Sequence, residues 1–164
     1  MDKFLQDLFA RQSYDPDHFF LLAGPCVVES EELLDEVAQK VSTVCRNLGI
    51  PYIFKSSYRK ANRTSGNSFT GLGDETALQL LQKTGKKYDL PVVTDIHSAP
   101  EAAIAAQYAD VLQIPAFLCR QTDLLVAAAE TGRIVNVKKG QFVSGEAMKF
   151  AVEKIRNAGN QKIM

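Results

Sequence analysis

Residues 91–138, PVVTDIHSAPEAAIAAQYADVLQIPAFLCRQTDLLVAAAETGRIVNVK, decide the fold class. Three short runs rich in β-branched residues, Pro91–His97, Val111–Pro115 and Ile134–Lys138, read as strands. Between them lie two longer segments of helical composition. The first is the Ala-rich stretch Pro100–Ala109; the second opens at Thr122 or Asp123 and stops at Gly132. Strand and helix in strict alternation call for parallel strands with helices on the outside.

The alternation continues in both directions. Upstream, Phe19–Ala23 is an apolar run ended by Gly24-Pro25, and Ser30 starts a helix with Glu31 and Glu32 in its first turn, where acids suit the macrodipole. Leu33, Leu34, Val37, Val41, Val44 and Leu48 are expected on one face of that helix, and Gly49 is its stop. Pro51–Lys55 is the second strand. The polar segment Ser56–Gly73 is too long for a routine strand-to-helix connection. Asp74 can then cap a helix that packs through Leu78, Leu80, Leu81 and Tyr88. Downstream, Ser144–Gly159 reads as a helix and Lys162-Ile163-Met164 as the first residues of a sixth strand.

Five strand–helix units fit either an open doubly wound sheet or a closed (β/α)8 barrel. An open sheet usually announces itself with a Gly-rich turn after its first strand, and neither GxGxxG nor GxxxxGK[ST] occurs here. A barrel typically needs about 250 residues, and this chain has 164. The expectation is an α/β, TIM-barrel-type fold holding the first five of eight βα units. Residues 1–18 would be an N-terminal extension and 19–164 a partial catalytic barrel, truncated at strand six and so the N-terminal part of a longer protein.

Composition narrows the class. Nineteen basic and 19 acidic residues balance to zero net charge, which removes the broad attraction behind nonspecific binding to nucleic acid or acidic membranes. No run reaches the roughly 18 apolar residues of a spanning helix, and the N-terminus lacks a signal-peptide apolar region. Cys26, Cys45 and Cys119 are odd in number and widely spaced, which argues against a disulfide scaffold. A soluble, cytoplasmic chain with reduced thiols is expected, binding neither nucleic acid nor membrane.

Barrel enzymes carry their chemistry where the strands end. Here the strand ends bring Cys26, Lys55, Asp95 with His97, Gln113, and Lys138 with Lys139. Strand residues of equal parity share a face, so Lys138 joins Asn136 while Lys139 points away. Lys55, Lys60, Arg63 and Lys138 together make a cationic basin. Asn62, Thr64 and Ser65 add an amide and two hydroxyls suited to phosphate oxygens. A solvated basic loop is the plainer alternative. Cys26 is either an inert thiol or a thiolate ligand to a metal. Cys45, in the first helix, is expected to pack.

Six strings occur in order: AGPCVVES (23–30), FKSSYRKANRTS (54–65), TDIH (94–97), LQIPAF (112–117), RQTDL (120–124) and NVKK (136–139). Together they resemble the 3-deoxy-D-manno-octulosonate 8-phosphate synthase family over Phe19 to Met164. The resemblance implies a (β/α)8 barrel, usually homotetrameric, that condenses phosphoenolpyruvate with D-arabinose 5-phosphate in lipopolysaccharide biosynthesis. C3 of the enol attacks the sugar aldehyde, water adds at C2, and the tetrahedral species expels phosphate.

The same resemblance implies the site. Lys55, Lys60 and Lys138 would hold phosphoenolpyruvate, with Gln113 and the Ala116 backbone near its phosphate and carboxylate. Asn62 and Arg63 would hold the sugar phosphate, and Asp95 would line the site near the sugar hydroxyls; Lys60 and Asp95 are the catalytic candidates. Arg120 would reach a neighbouring subunit's site. Cys26 matches the metal-dependent branch and implies a divalent metal ion whose other ligands, a His, a Glu and an Asp, lie beyond residue 164.

Two features depart from that pattern. Gly140 follows the paired lysines where the family typically has Pro, which is expected to loosen the loop. Residues 65–73 lean toward the sister enzyme, 3-deoxy-D-arabino-heptulosonate 7-phosphate synthase, whose acceptor is erythrose 4-phosphate. Besides that rival, a Schiff-base aldolase using Lys55 or Lys138 and a non-catalytic sugar-phosphate-binding fragment are the alternatives.

Overall fold

The computed structural model describes residues 3–61 and 71–164. They divide into two compact units, Met1–Thr94 and Asp95–Met164. The first holds α1 (Lys3–Leu8), β1 (Leu21–Ala23), α2 (Glu31–Leu48), β2 (Tyr52–Lys55), α3 (Asp74–Tyr88) and all but the last residue of β3 (Val92–Asp95). The second holds α4 (Ala99–Ala105), β4 (Val111–Ile114), α5 (Thr122–Glu130), β5 (Ile134–Val137) and α6 (Lys149–Asn157).

In the first unit β1 pairs parallel with β2, in register Ala23↔Phe54, and β2 pairs parallel with β3, in register Phe54↔Val92. In the second, β4 pairs parallel with β5, in register Gln113↔Asn136. Strand order follows chain order within each unit, and a helix follows every strand. This is the α/β, (β/α)8-barrel type of winding in five of its repeats, as the sequence led us to expect. Residues 162–164 do begin another strand segment. Ile163 bridges Val135 in parallel, and the Met164 N–H donates to the Val135 carbonyl at 2.9 Å.

Local chemistry explains the helix limits. Ser30 caps α2 by accepting from the Leu33 N–H at 3.1 Å, and Gly49 ends it in the left-handed region at φ 67°. The buried face differs from expectation. Leu34, Ala38, Ser42 and Cys45 face inward, whereas Val44 and Leu48 are exposed. Small residues at that stripe let the helix sit close to the strands, and the larger aliphatics rotate to its flank. Cys45 packs as expected, and all three thiols are free. Lys83–Glu31 at 2.6 Å and Lys87–Asp35 at 2.7 Å tie α3 to α2 along their exposed edge. Hydrogen bonding from Lys87 holds the Asp35 carboxyl below its ordinary value.

Three further boundaries differ from the reading. Gly73, not Asp74, is the residue preceding α3. The stretch 144–159 opens with a 3₁₀ turn at Glu146–Met148 before α6. Residues 3–8 form a helix that the sequence did not announce, because six residues are too few to show a helical periodicity. That segment is nonetheless docked. Phe9 is buried against Tyr14 and Phe20, with ring centroids 5.2 and 5.3 Å away. The Gln12 side chain accepts from the Tyr52 N–H at 2.7 Å and donates to the Tyr52 carbonyl at 2.9 Å. Burial pushes the Tyr52 phenol up, which keeps it a neutral donor to the Ala23 carbonyl at 3.0 Å.

Candidate active site

At the carboxyl end of the first unit's strands, Ser57 is the knot. Its N–H donates to the Cys26 carbonyl at 3.4 Å, and its own carbonyl accepts from the Val28 N–H at 2.9 Å. These bonds prolong the β1–β2 pairing beyond the strands and hold the Cys26 segment beside the end of β2. The Ser57 hydroxyl accepts from Lys55 Nζ at 3.1 Å, which aims the ammonium along this edge. Cys26 is exposed, and Lys60 is half-buried in the following loop. Arg59 is turned toward α3, with its guanidinium 3.1 Å from the Asp74 carboxylate and stacked on Tyr58. Asn62 and Arg63 lie outside the described residues.

In the second unit the strand ends form a polar ladder. Asp95 closes β3, Gln113 sits inside β4 and Asn136 inside β5, all on one face by parity and register. Gln113 Nε2 donates to Asp95 Oδ1, and Asn136 Nδ2 donates to Gln113 Oε1 at 2.8 Å. Asp95 and Gln113 are each only 7% exposed, so the ladder is a buried network. Lys138 continues the Asn136 face and is exposed, its N–H held by the Ile114 carbonyl at 3.0 Å. Lys139 turns the other way, donating to the Gly140 and Val143 carbonyls at 2.8 and 3.0 Å. The two lysines therefore divide as parity requires, one to the strand face and one into the loop.

His97 is engaged by the helix that follows it. Glu101 accepts from the His97 N–H at 2.8 Å and from the Ser98 hydroxyl at 2.7 Å, and its Oε2 stands 3.4 Å from His97 Nδ1. This is a variant of the capping box, with the acid reaching one residue further back. Ala116 opens a 3₁₀ turn directly after β4, and Arg120 is exposed just beyond it. Gly140 does not loosen its loop. It is buried, and a Cβ there would stand 3.0 Å from the Ala116 carbonyl oxygen and from Cys119 Sγ, so the absence of a side chain lets the two loops close on each other.

The structure thus joins Asp95 to Gln113 by hydrogen bonding, sets Lys55 at the end of β2 and presents Lys138 on the ladder's face. It also brings in two residues the sequence reading did not select. Ser57 anchors Lys55, and Asn136 orients Gln113. Parity had placed Asn136 on the correct face; what was lacking was the β4–β5 register. Chemically, a buried carboxylate and two oriented amides, with the Lys138 ammonium on the same face, can bind hydroxylated and anionic substrates while leaving no buried polar group in the ladder without a partner.

The chain is similar to known proteins along most of its length. The sequence model of the DAHP synthetase I family matches residues 14–164. A protein of Koribacter versatilis named 2-dehydro-3-deoxyphosphooctonate aldolase is 56% identical over 144 residues, 88% of this chain and 52% of that protein. Proteins of the same name from Pisum sativum and Fusobacterium nucleatum are each 54% identical, covering 90% and 89% of this chain and 51% and 52% of their own lengths. The chain spans about half the length of the curated relatives it matches.

Proposed function

This chain belongs to the DAHP synthetase I family, and from that premise we propose that it serves the condensation of phosphoenolpyruvate with D-arabinose 5-phosphate. The products are 3-deoxy-D-manno-octulosonate 8-phosphate, for lipopolysaccharide biosynthesis, and inorganic phosphate. The observation that carries the reading is the Asp95–Gln113–Asn136 ladder at the strand ends, with Lys138 on the same face.

In this reading Lys55, Lys60 and Lys138 meet the phosphate and carboxylate of phosphoenolpyruvate, and Gln113 and the Ala116 backbone add hydrogen bonds. Asn62 and Arg63 take the sugar phosphate. The Asp95 carboxylate accepts from sugar hydroxyls, orienting the aldehyde carbon toward C3 of the enol. Lys60 stands as the cation beside the charge that develops when the carbon–carbon bond forms. Water completes C2, phosphate leaves, and holding both substrates in one geometry supplies much of the acceleration. Phosphate release by the native gene product should require arabinose 5-phosphate. Turnover that prefers erythrose 4-phosphate, or none with either sugar, sinks the reading.

We assign Cys26 one place in a divalent metal site. A free, exposed thiol at the end of β1 is a soft donor suited to such an ion. Among the described residues no group of three or more His, Cys, Asp or Glu side chains could hold a metal, so Cys26 is proposed as one ligand of a site completed elsewhere. A bound ion would supply Lewis-acid polarisation of a substrate oxygen. Adding Co²⁺ to the native protein should produce thiolate-to-metal absorption that Cys26→Ala abolishes. Absorption surviving in Cys26→Ala would refute the assignment.

A homo-oligomer in the cytoplasm completes the proposal, with Arg120 reaching the site of a neighbouring subunit. Phe117, Phe142 and Phe150 are 44%, 62% and 56% exposed, large apolar side chains of the kind that self-association covers. No helix among the described residues is long and apolar enough to cross a membrane.

A further inference from the structure

We propose that Asn136 is a positioning residue, fixing the Gln113 amide so that the groups facing phosphoenolpyruvate and the sugar are held as one hydrogen-bonded unit. This inference rests on the function proposed above. It begins from the direction of the ladder. An ionised carboxylate only accepts hydrogen bonds, so Asp95 requires the N–H side of Gln113. The Gln113 carbonyl oxygen must then face the other way, and Asn136 Nδ2 meets it at 2.8 Å. Direct opposition of Gln113 and Asn136 in the β4–β5 register fixes the spacing of the two amides.

Rotation about the last bond of a glutamine side chain is soft and roughly twofold. With Asn136 removed, Gln113 is held at one end only, and its amide can turn its oxygen toward the charge it should be donating to. A residue that can only accept at position 136 is worse, because it sets two acceptors against each other. Asn136 thus matters through the donor it offers, and its volume is secondary. Among the described residues, Asp95 lies across Gln113 from it and Lys138 two residues on along the same face. Lys162, on the neighbouring segment, donates its ammonium to the Gly132 carbonyl at 3.0 Å.

The test uses the native gene product and measures phosphoenolpyruvate affinity for the parent, Asn136→Ala and Asn136→Asp, together with amide-proton exchange of the Gln113 side chain. At neutral pH Asn136→Ala should bind about tenfold more weakly, the loss of one hydrogen bond that orients a ligand-facing group, and Asn136→Asp more weakly still. The deficit of Asn136→Ala should be flat with pH. That of Asn136→Asp should shrink as the pH falls, because the introduced carboxyl regains an O–H donor on protonation. Exchange of the Gln113 amide should quicken in Asn136→Ala. Equal, pH-independent losses in both variants would reduce Asn136 to a packing role and overturn the inference, as would variants that bind like the parent. A parent that binds no phosphoenolpyruvate brings down the functional reading and this inference with it. A parent that binds, with indifferent variants, brings down the inference alone.

Discussion

Gly24→Ala is expected to destabilise the protein by about 3 kcal/mol or more, an effect large enough to leave little of it folded. Gly24 has φ 155°, and a Cβ there would stand 2.0 Å from the Lys55 carbonyl oxygen and 3.0 Å from the Lys55 carbonyl carbon. Both atoms are backbone at the end of β2, so neither can swing aside. Relief would require the chain after β1 to move off β2, breaking the Ser57–Cys26 and Val28–Ser57 hydrogen bonds beyond it. Gly49→Ala is the control. It too has a positive φ, 67°, but nothing lies within 4 Å of its Cβ position, so only the left-handed penalty of about 1 kcal/mol remains. Denaturant unfolding of both variants measures the difference; a Gly24 variant no less stable than the Gly49 variant would contradict the close approach.

The second large effect falls on activity. Asp95→Ala should reduce kcat/KM for condensation by about 10²–10³-fold, the usual cost of deleting one preorganised polar group at a reacting centre. It also leaves the buried Gln113 N–H without its carboxylate, at about 1–3 kcal/mol of stability. Asp95→Asn separates the two contributions. Its amide oxygen can still accept from Gln113 Nε2, so the ladder and most of the stability survive while the charge is lost. Activity close to the parent in that variant would show that the charge of Asp95 is dispensable. Recovery of stability without recovery of activity would place it at the chemistry.

Some of this architecture is legible in single residues and some is not. Ser30 and Gly49 delimit α2 because capping is local, a matter of one side chain and three or four neighbouring amides. Strand-end chemistry is legible for a similar reason: parity alone separates Lys138 from Lys139. The inward face of α2 is not legible in the sequence because Val44 and Leu48 belong to the apolar periodicity yet lie at its margin, and only the burial of Ala38 and Ser42 decides which stripe goes inward. Hydrogen-bond partners across strands, such as Asn136 to Gln113, depend on register, which no property of one strand encodes. Ser57 is not distinguishable in the sequence because it stands in a polar run where any of several hydroxyls has an equal claim. Asn62 and Arg63, both read from the sequence, fall outside the described residues and stay assigned by resemblance.

The amide of Gln12 grips both backbone groups of Tyr52, much as a rung from a missing strand would. Tyr52 lies where β2 begins, and Lys55, at the other tip of the same strand, carries a candidate substrate contact. Only Ile53 and Phe54 thus separate a clasp from a working group. Substitutions in the clasp can be spent on robustness and those at the far tip on chemistry, which makes this short strand a place where the two can be altered independently.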